Sequence, residues 1–437
     1  MDNFEKEIEV FQKEEISSEQ LINLLLSDNY NEYRVGIDKF RLYLDYQYPN
    51  LDESIVKFVK KQLIPKMLFY LDNLFYCNQL DVLNQINLIQ EILKKHNFEN
   101  SFIENGLVYT LIRLISLNNK KYDLEIIKLF VLLLHSSHNK YRHNIQVQII
   151  VFIGTKKVMQ MIEYQSHQAT KIKQIALLCN IKDQNYFDQK KIFIDELCQI
   201  LLKESNQSGQ FITAIELISD IVHYQKIKLI IMEKRVLQPI IDAIPNWIKQ
   251  YRSVLDSTLK ICLEFIMYNK IAQQLVVTSG LLNYLGLLLQ SQFYGITSFS
   301  LKIVKYLCND KYMVERLYIN SVVQILLKQY IQIPRSFQIM ELLVIVLEFG
   351  KEMFYKYCKD IAQEFIQAFL KSFLSFQELE LCRSQLNLIT VFKNENLFYD
   401  EIQQYFLENQ IIKERMKSLY IKDTWFFDFY QINKQTQ

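Results

Sequence analysis

Ile103-Glu104-Asn105-Gly106-Leu107-Val108, Phe152-Ile153-Gly154-Thr155 and Thr278-Ser279-Gly280-Leu281-Leu282 share one pattern. In each, an apolar segment closes on glycine and a second apolar segment opens at once. Val59-Lys60-Lys61-Gln62-Leu63-Ile64-Pro65 and Lys234-Arg235-Val236-Leu237 have the same form without the glycine. A left-handed backbone turn is cheap for glycine alone, so three of the chain's eight glycines at one kind of junction mark a helix-to-helix turn. Outward from each junction the unit reads as a short helix, a second helix of form apolar-apolar-x-x-apolar, and a longer third helix. The junctions recur roughly 40–50 residues apart, with one interval of about twice that, the spacing of armadillo or HEAT units.

The rest of the composition agrees. The chain has 437 residues, 50% of them hydrophobic, with only 8 Gly and 5 Pro. Average usage would give about 30 glycines and about 20 prolines. Hairpin turns and phosphate-cradling loops both need these residues, which leaves little room for sandwiches, barrels or nucleotide folds. Short amphipathic stretches run nearly end to end. Ser17-Ser18-Glu19-Gln20 is a helix start, Tyr48-Pro49-Asn50 a break, and Pro65 a new start. No stretch is able to bury its apolar face alone, so each requires a stacked neighbour. The expectation is an all-α, right-handed armadillo/HEAT-type superhelical solenoid of about nine to ten repeats. Residues 1–16 form a short acidic N-terminal segment, 17–427 a continuous array, and 428–437 a C-terminal tail.

Fifty basic against 48 acidic side chains give a net charge of +2, and basic runs are no longer than pairs such as Lys60-Lys61. No nucleic-acid partner is expected, because phosphate binding calls for a net basic stripe. The 27 tyrosines and 29 phenylalanines recur at helical intervals with Ile and Leu, as core aromatics do. Seven scattered cysteines without C-x-x-C read as buried free thiols in a reducing compartment. Met1–Gln20 lacks an apolar core, and the longest apolar runs fall short of the ~20 residues a bilayer requires. No membrane partner is expected, and the location is cytoplasm, nucleus or both.

Several stretches resemble the importin-alpha family of armadillo-repeat nuclear import adaptors. The clearest is Tyr48-Pro49-Asn50-Leu51-Asp52-Glu53-Ser54-Ile55 followed by Leu63-Ile64-Pro65-Lys66-Met67-Leu68-Phe69-Tyr70-Leu71. Phe102–Ile115, Leu229–Ile240 and Leu259–Leu285 are further matches, and Leu388–Leu419 is similar to the family's atypical last repeat. The resemblance implies a concave groove in which Trp-x-x-x-Asn pairs on the third helices hold a basic peptide. The equivalent pairs here are Asn87/Glu91, Phe130/Leu134, Ala176/Asn180, Glu216/Asp220, Lys260/Glu264, Lys302/Tyr306 and Leu342/Val346. Only Asn180 keeps the asparagine, and no tryptophan is kept, since Trp247 and Trp425 lie elsewhere. The family's basic importin-beta-binding arm has no counterpart in the 17 residues before the first helix, a net acidic stretch with six carboxylates and two lysines. Importin-beta is therefore not an expected partner by that route.

The groove positions admit two readings. Glu91, Glu216, Asp220 and Glu264 either attract a Lys/Arg-rich segment or are solvated helix faces. Phe130, Leu134, Leu342 and Val346 either make apolar stretches of the groove or face inward. For Leu342 and Val346, helical spacing favours the core. The sequence carries no recognisable catalytic constellation. His135-Ser136-Ser137-His138, with Asn139 to Arg142 and His143, reads as a surface loop rather than a zinc site. No Gly-rich phosphate loop, G-x-S-x-G or H-E-x-x-H occurs. The expectation is a protein without enzymatic activity, cofactor or metal. It is an adaptor binding a protein or a basic, nuclear-localisation-like peptide, with a scaffold subunit of a larger assembly as the alternative.

Overall fold

A computed structural model describes residues 18–46, 53–73, 79–95, 97–116, 120–136, 139–163, 167–183, 185–248, 252–332, 337–373, 379–398, 402 and 404. Among these there is no strand, and helices follow one another with short connections. The fold is an all-α helical-repeat solenoid, as the period predicts. The acidic segment 1–16 and the tail 428–437 lie outside the described residues.

Two compact units are distinguished, 1–197 and 198–437. In the first, the third helices Gln79–Lys95, Lys120–Ser136 and Gln168–Leu178 pack one on the next. In the second, the corresponding series is Gly209–Ile221, Arg252–Tyr268, Tyr294–Leu307, Phe337–Leu347 and Leu379–Asn394, again each on its neighbour. Shorter helices, such as Lys270–Thr278 with Leu282–Leu289 and Lys311–Ile319 with Val322–Gln332, make the first and second members. The doubled interval between junctions has a simple cause. Between Gly154 and Arg235 one unbroken helix, Phe187–Lys203, stands where other units have two. Lys351–Phe373 does the same near the end of the second unit.

The junctions confirm the glycine reading and extend it. Gly106, Gly154 and Gly280 have φ of +94°, +78° and +91°. Gly154, with ψ 149°, is extended on that side, and Arg235 and Ser321 also have positive φ, 56° and 61°, a strain that only glycine escapes. At Arg235 the motif is a Schellman cap, with Arg235 N–H donating to Met232 O and Val236 N–H to Ile231 O. The junction before Pro65 differs. There the chain stays helical through a π turn, Val59–Leu63, and Ile64 N–H reaches back to Val59 O. Proline at the following position has no N–H to contribute, so the helix restarts from it without loss.

Polar contacts join neighbouring groups. The Gln90 amide donates to Glu125 O at 3.0 Å, Gln238 to Ser279 O at 3.2 Å, Gln324 to Tyr357 O at 2.9 Å, and Gln329 to Leu289 O. Ser372 spends its proton on Phe369 O, so its oxygen accepts from both Tyr330 Oη at 3.0 Å and Gln385 Nε2 at 2.9 Å. Cys179, Cys198, Cys262, Cys308 and Cys358 are buried free thiols. Burial pushes Cys179 up to about 11 and Cys262, Cys308 and Cys358 to about 12, so they stay protonated and inert.

Candidate partner-binding face

Of the groove pairs expected from the sequence, three in the second unit are at least partly exposed. Glu216 and Asp220 are half-buried on Gly209–Ile221, and each already has an interaction partner. Lys260 and Glu264 are half-buried on Arg252–Tyr268. Glu264 accepts from Lys228 Nζ at 2.8 Å, and that ammonium also lies 5.3 Å from the Tyr268 ring. Lys302 and Tyr306 are exposed on Tyr294–Leu307. In the first unit, Asn87 and Glu91 are half-buried, and Glu91 is ion-paired with Arg41 of the Tyr30–Tyr46 helix.

Two other pairs require correction. Phe130 and Leu134 are fully buried. The Lys120–Ser136 helix touches Gln79–Lys95, Leu107–Ser116, Asn139–Gln148, Thr155–Met161 and Gln168–Leu178, and its outward line is Lys121, Lys128 and His135. Ala176 is 6% exposed and faces the core. Asn180, the one retained asparagine, is the left-handed residue of a Schellman cap, with its N–H on Leu177 O and Ile181 N–H on Ala176 O. Asparagine tolerates that backbone better than most residues, which accounts for its presence. Its carbonyl accepts from the buried Lys190 ammonium at 3.0 Å. Leu342 and Val346 are buried, as their spacing favours. The surface loop expected around His138 is also shorter than expected, because Asn139–Gln148 is helical.

One groove was missed. Val344 and Glu348 on one side, and Asn387, Thr390, Val391, Asn394 and Glu395 on the other, enclose about 480 Å³ between two neighbouring third helices. Asn387, Thr390 and Asn394 are spaced three and four apart, so they share one helix face, and all three are exposed. That spacing was the available signal. Glu348 and Glu395 add two carboxylates with no side-chain partner among the described residues. One helix earlier, Lys305 Nζ holds Glu341 at 2.8 Å.

Two further carboxylates are displaced by burial. Desolvation raises Asp123 above the ordinary 3.8, against the pull of Lys157 and Lys120, and raises Asp256 against Arg252. Among the described residues no three His, Cys, Asp or Glu side chains gather as metal ligands, and no single helix is long and apolar enough to cross a membrane.

No family model matches the chain, and no curated protein matches it in sequence. Solved structures do match. An engineered protein from a structural genomics programme is similar over 93% of this chain and 98% of its own, with TM-score 0.56 and 12% identity. A structure from work on a phosphorylation switch controlling the interaction between cadherin and beta-catenin is similar over 86% of this chain and 69% of its own, with TM-score 0.60 and 12% identity. At such identity the likeness concerns the backbone: this chain shares the helical-repeat architecture of those proteins.

Proposed function

We propose that this protein is a non-enzymatic adaptor that holds an extended, Lys/Arg-containing segment of a protein partner against the third helices of its second unit. The observation that carries this is the groove of Val344, Glu348, Asn387, Thr390, Val391, Asn394 and Glu395. An asparagine amide both donates and accepts, so it pairs with a peptide backbone whatever the side chains. Val344 and Val391 offer an apolar floor for an aliphatic stem, and the carboxylates complement the charge at its tip. Fluorescence anisotropy with a Lys/Arg-rich peptide tests it. Binding is expected at low salt, weakened as salt rises, and reduced at least tenfold by Glu348→Lys with Glu395→Lys. Absence of binding at low salt would overturn it.

The finer form of the proposal is importin-alpha-like carriage of a nuclear localisation peptide, with work in cytoplasm and nucleus. Affinity purification that recovers a nuclear transport carrier would support it. The second reading, a fixed scaffold subunit, is favoured by the internal pairing of Glu91 with Arg41 and Glu264 with Lys228, which removes two acids from service to a partner. Recovery of stoichiometric assembly proteins, without a carrier, would select it.

A further inference from the structure

We propose that the partner segment is of mixed charge, and that Lys260 and Lys302 receive an acidic stretch lying a few residues from the basic stretch in the groove. This rests on the groove reading above and adds a second subsite to it.

The argument is one of uncompensated charge along a fixed order of helices. Arg252–Tyr268 packs on Tyr294–Leu307, which packs on Phe337–Leu347, which packs on Leu379–Asn394. On the first of these, Glu264 is occupied by Lys228, while Lys260 has no ion pair or hydrogen bond among the described residues. On the second, Lys305 is occupied by Glu341, while exposed Lys302 has only the Phe299 ring, 5.7 Å away. Just past the ends of the third and fourth, Glu348 and Glu395 are the uncompensated groups. The face therefore runs from two free cations to two free anions. A uniformly basic segment reaching across it would meet Lys302 and Lys260 with repulsion, whereas an acidic stretch there is complementary.

The spacing follows from helix packing. Neighbouring axes lie about 8–10 Å apart, so Lys302 stands roughly one and a half spacings, about 12–15 Å, from the groove. An extended chain covers that in about four or five residues, and about three more bring it to Lys260.

The test uses the full chain and three fluorescein-labelled peptides at low salt. One carries a Lys/Arg cluster alone; two carry the same cluster with a Glu-Glu pair five residues before it or five residues after it. One Glu-containing order is expected to bind about three- to tenfold tighter than the basic peptide. Lys260→Glu with Lys302→Glu should remove that gain and leave the basic peptide bound at least as well as before. Lys302→Glu alone, at an exposed position, provides the check should the double variant fold poorly, and should remove part of the gain. Equal binding of all three peptides, or a gain that survives the substitutions, would overturn the mixed-charge proposal and leave the groove standing. No binding by any peptide would remove both.

Discussion

Two third helices occupy equivalent places and do opposite things. Lys120–Ser136 is surrounded by five neighbouring helices and buries Phe130 and Leu134 completely. Leu379–Asn394 packs on Phe337–Leu347 and exposes Asn387, Thr390 and Asn394. The same element is a core strut in the first unit and one wall of a groove in the second. What differs is the outward line: Lys121, Lys128 and His135 on the first helix, and Asn387, Thr390 and Asn394, beside the groove, on the second.

The largest test of this contrast is truncation at matched positions. Phe130→Ala is expected to cost the first unit about 3–5 kcal/mol through the cavity it leaves, whereas Asn387→Ala should stay within about 0.5 kcal/mol by chemical denaturation. The binding assay should give the reverse ranking, with Asn387→Ala and Asn394→Ala together weakening the peptide about tenfold and Phe130→Leu leaving it unchanged. Next comes the polar core beside the groove. Tyr330→Phe removes a buried donor to Ser372 and should lower stability by about 1–2 kcal/mol, read from the denaturation midpoint. At the junctions, Gly106→Ala meets no atom within 4 Å, so its cost is conformational alone, about 1 kcal/mol. Arg235→Gly should be neutral or slightly stabilising, since relief of the left-handed turn opposes the added freedom of the unfolded chain.

The smallest effect is in pH. Asp123 is 7% exposed and its carboxyl titrates above the usual 3.8. The native state thus holds that proton more tightly than the unfolded chain. The resulting stability is fully present below the unfolded value and fades as pH rises through the folded one. Asp123→Asn should therefore stabilise the first unit at neutral pH and lose that advantage toward pH 3.8, as melting curves across that range would show.

The fold was legible because its punctuation is local. Gly106, Gly154 and Gly280 mark positive-φ turns that no other residue adopts as cheaply, and the period between them reveals the stacking. Arg235 and Ser321 show the limit of that signal, since a turn over-determined by its surroundings also holds residues that carry no mark of it. Surface position, as distinct from any role, was legible where a helix has one polar face: Glu216/Asp220 and Lys260/Glu264 are half-buried and Lys302/Tyr306 exposed. In Phe337–Leu347 the unbroken apolar run at its end hides which face is out, and in Lys120–Ser136 the outward line of Lys121, Lys128 and His135 stands two residues from the expected pair Phe130/Leu134. Asn180 misled for another reason: the residue suited to hydrogen-bonding a peptide is also suited to closing a helix.

The glutamine amides between neighbouring groups have a practical corollary. Gln90, Gln238, Gln324 and Gln329 each fasten onto a main-chain carbonyl, a feature every amino acid possesses. The receiving helix is thus free to change its side chains without undoing the latch. A module transplanted from one position to another should keep its seat, provided that its own glutamine travels with it.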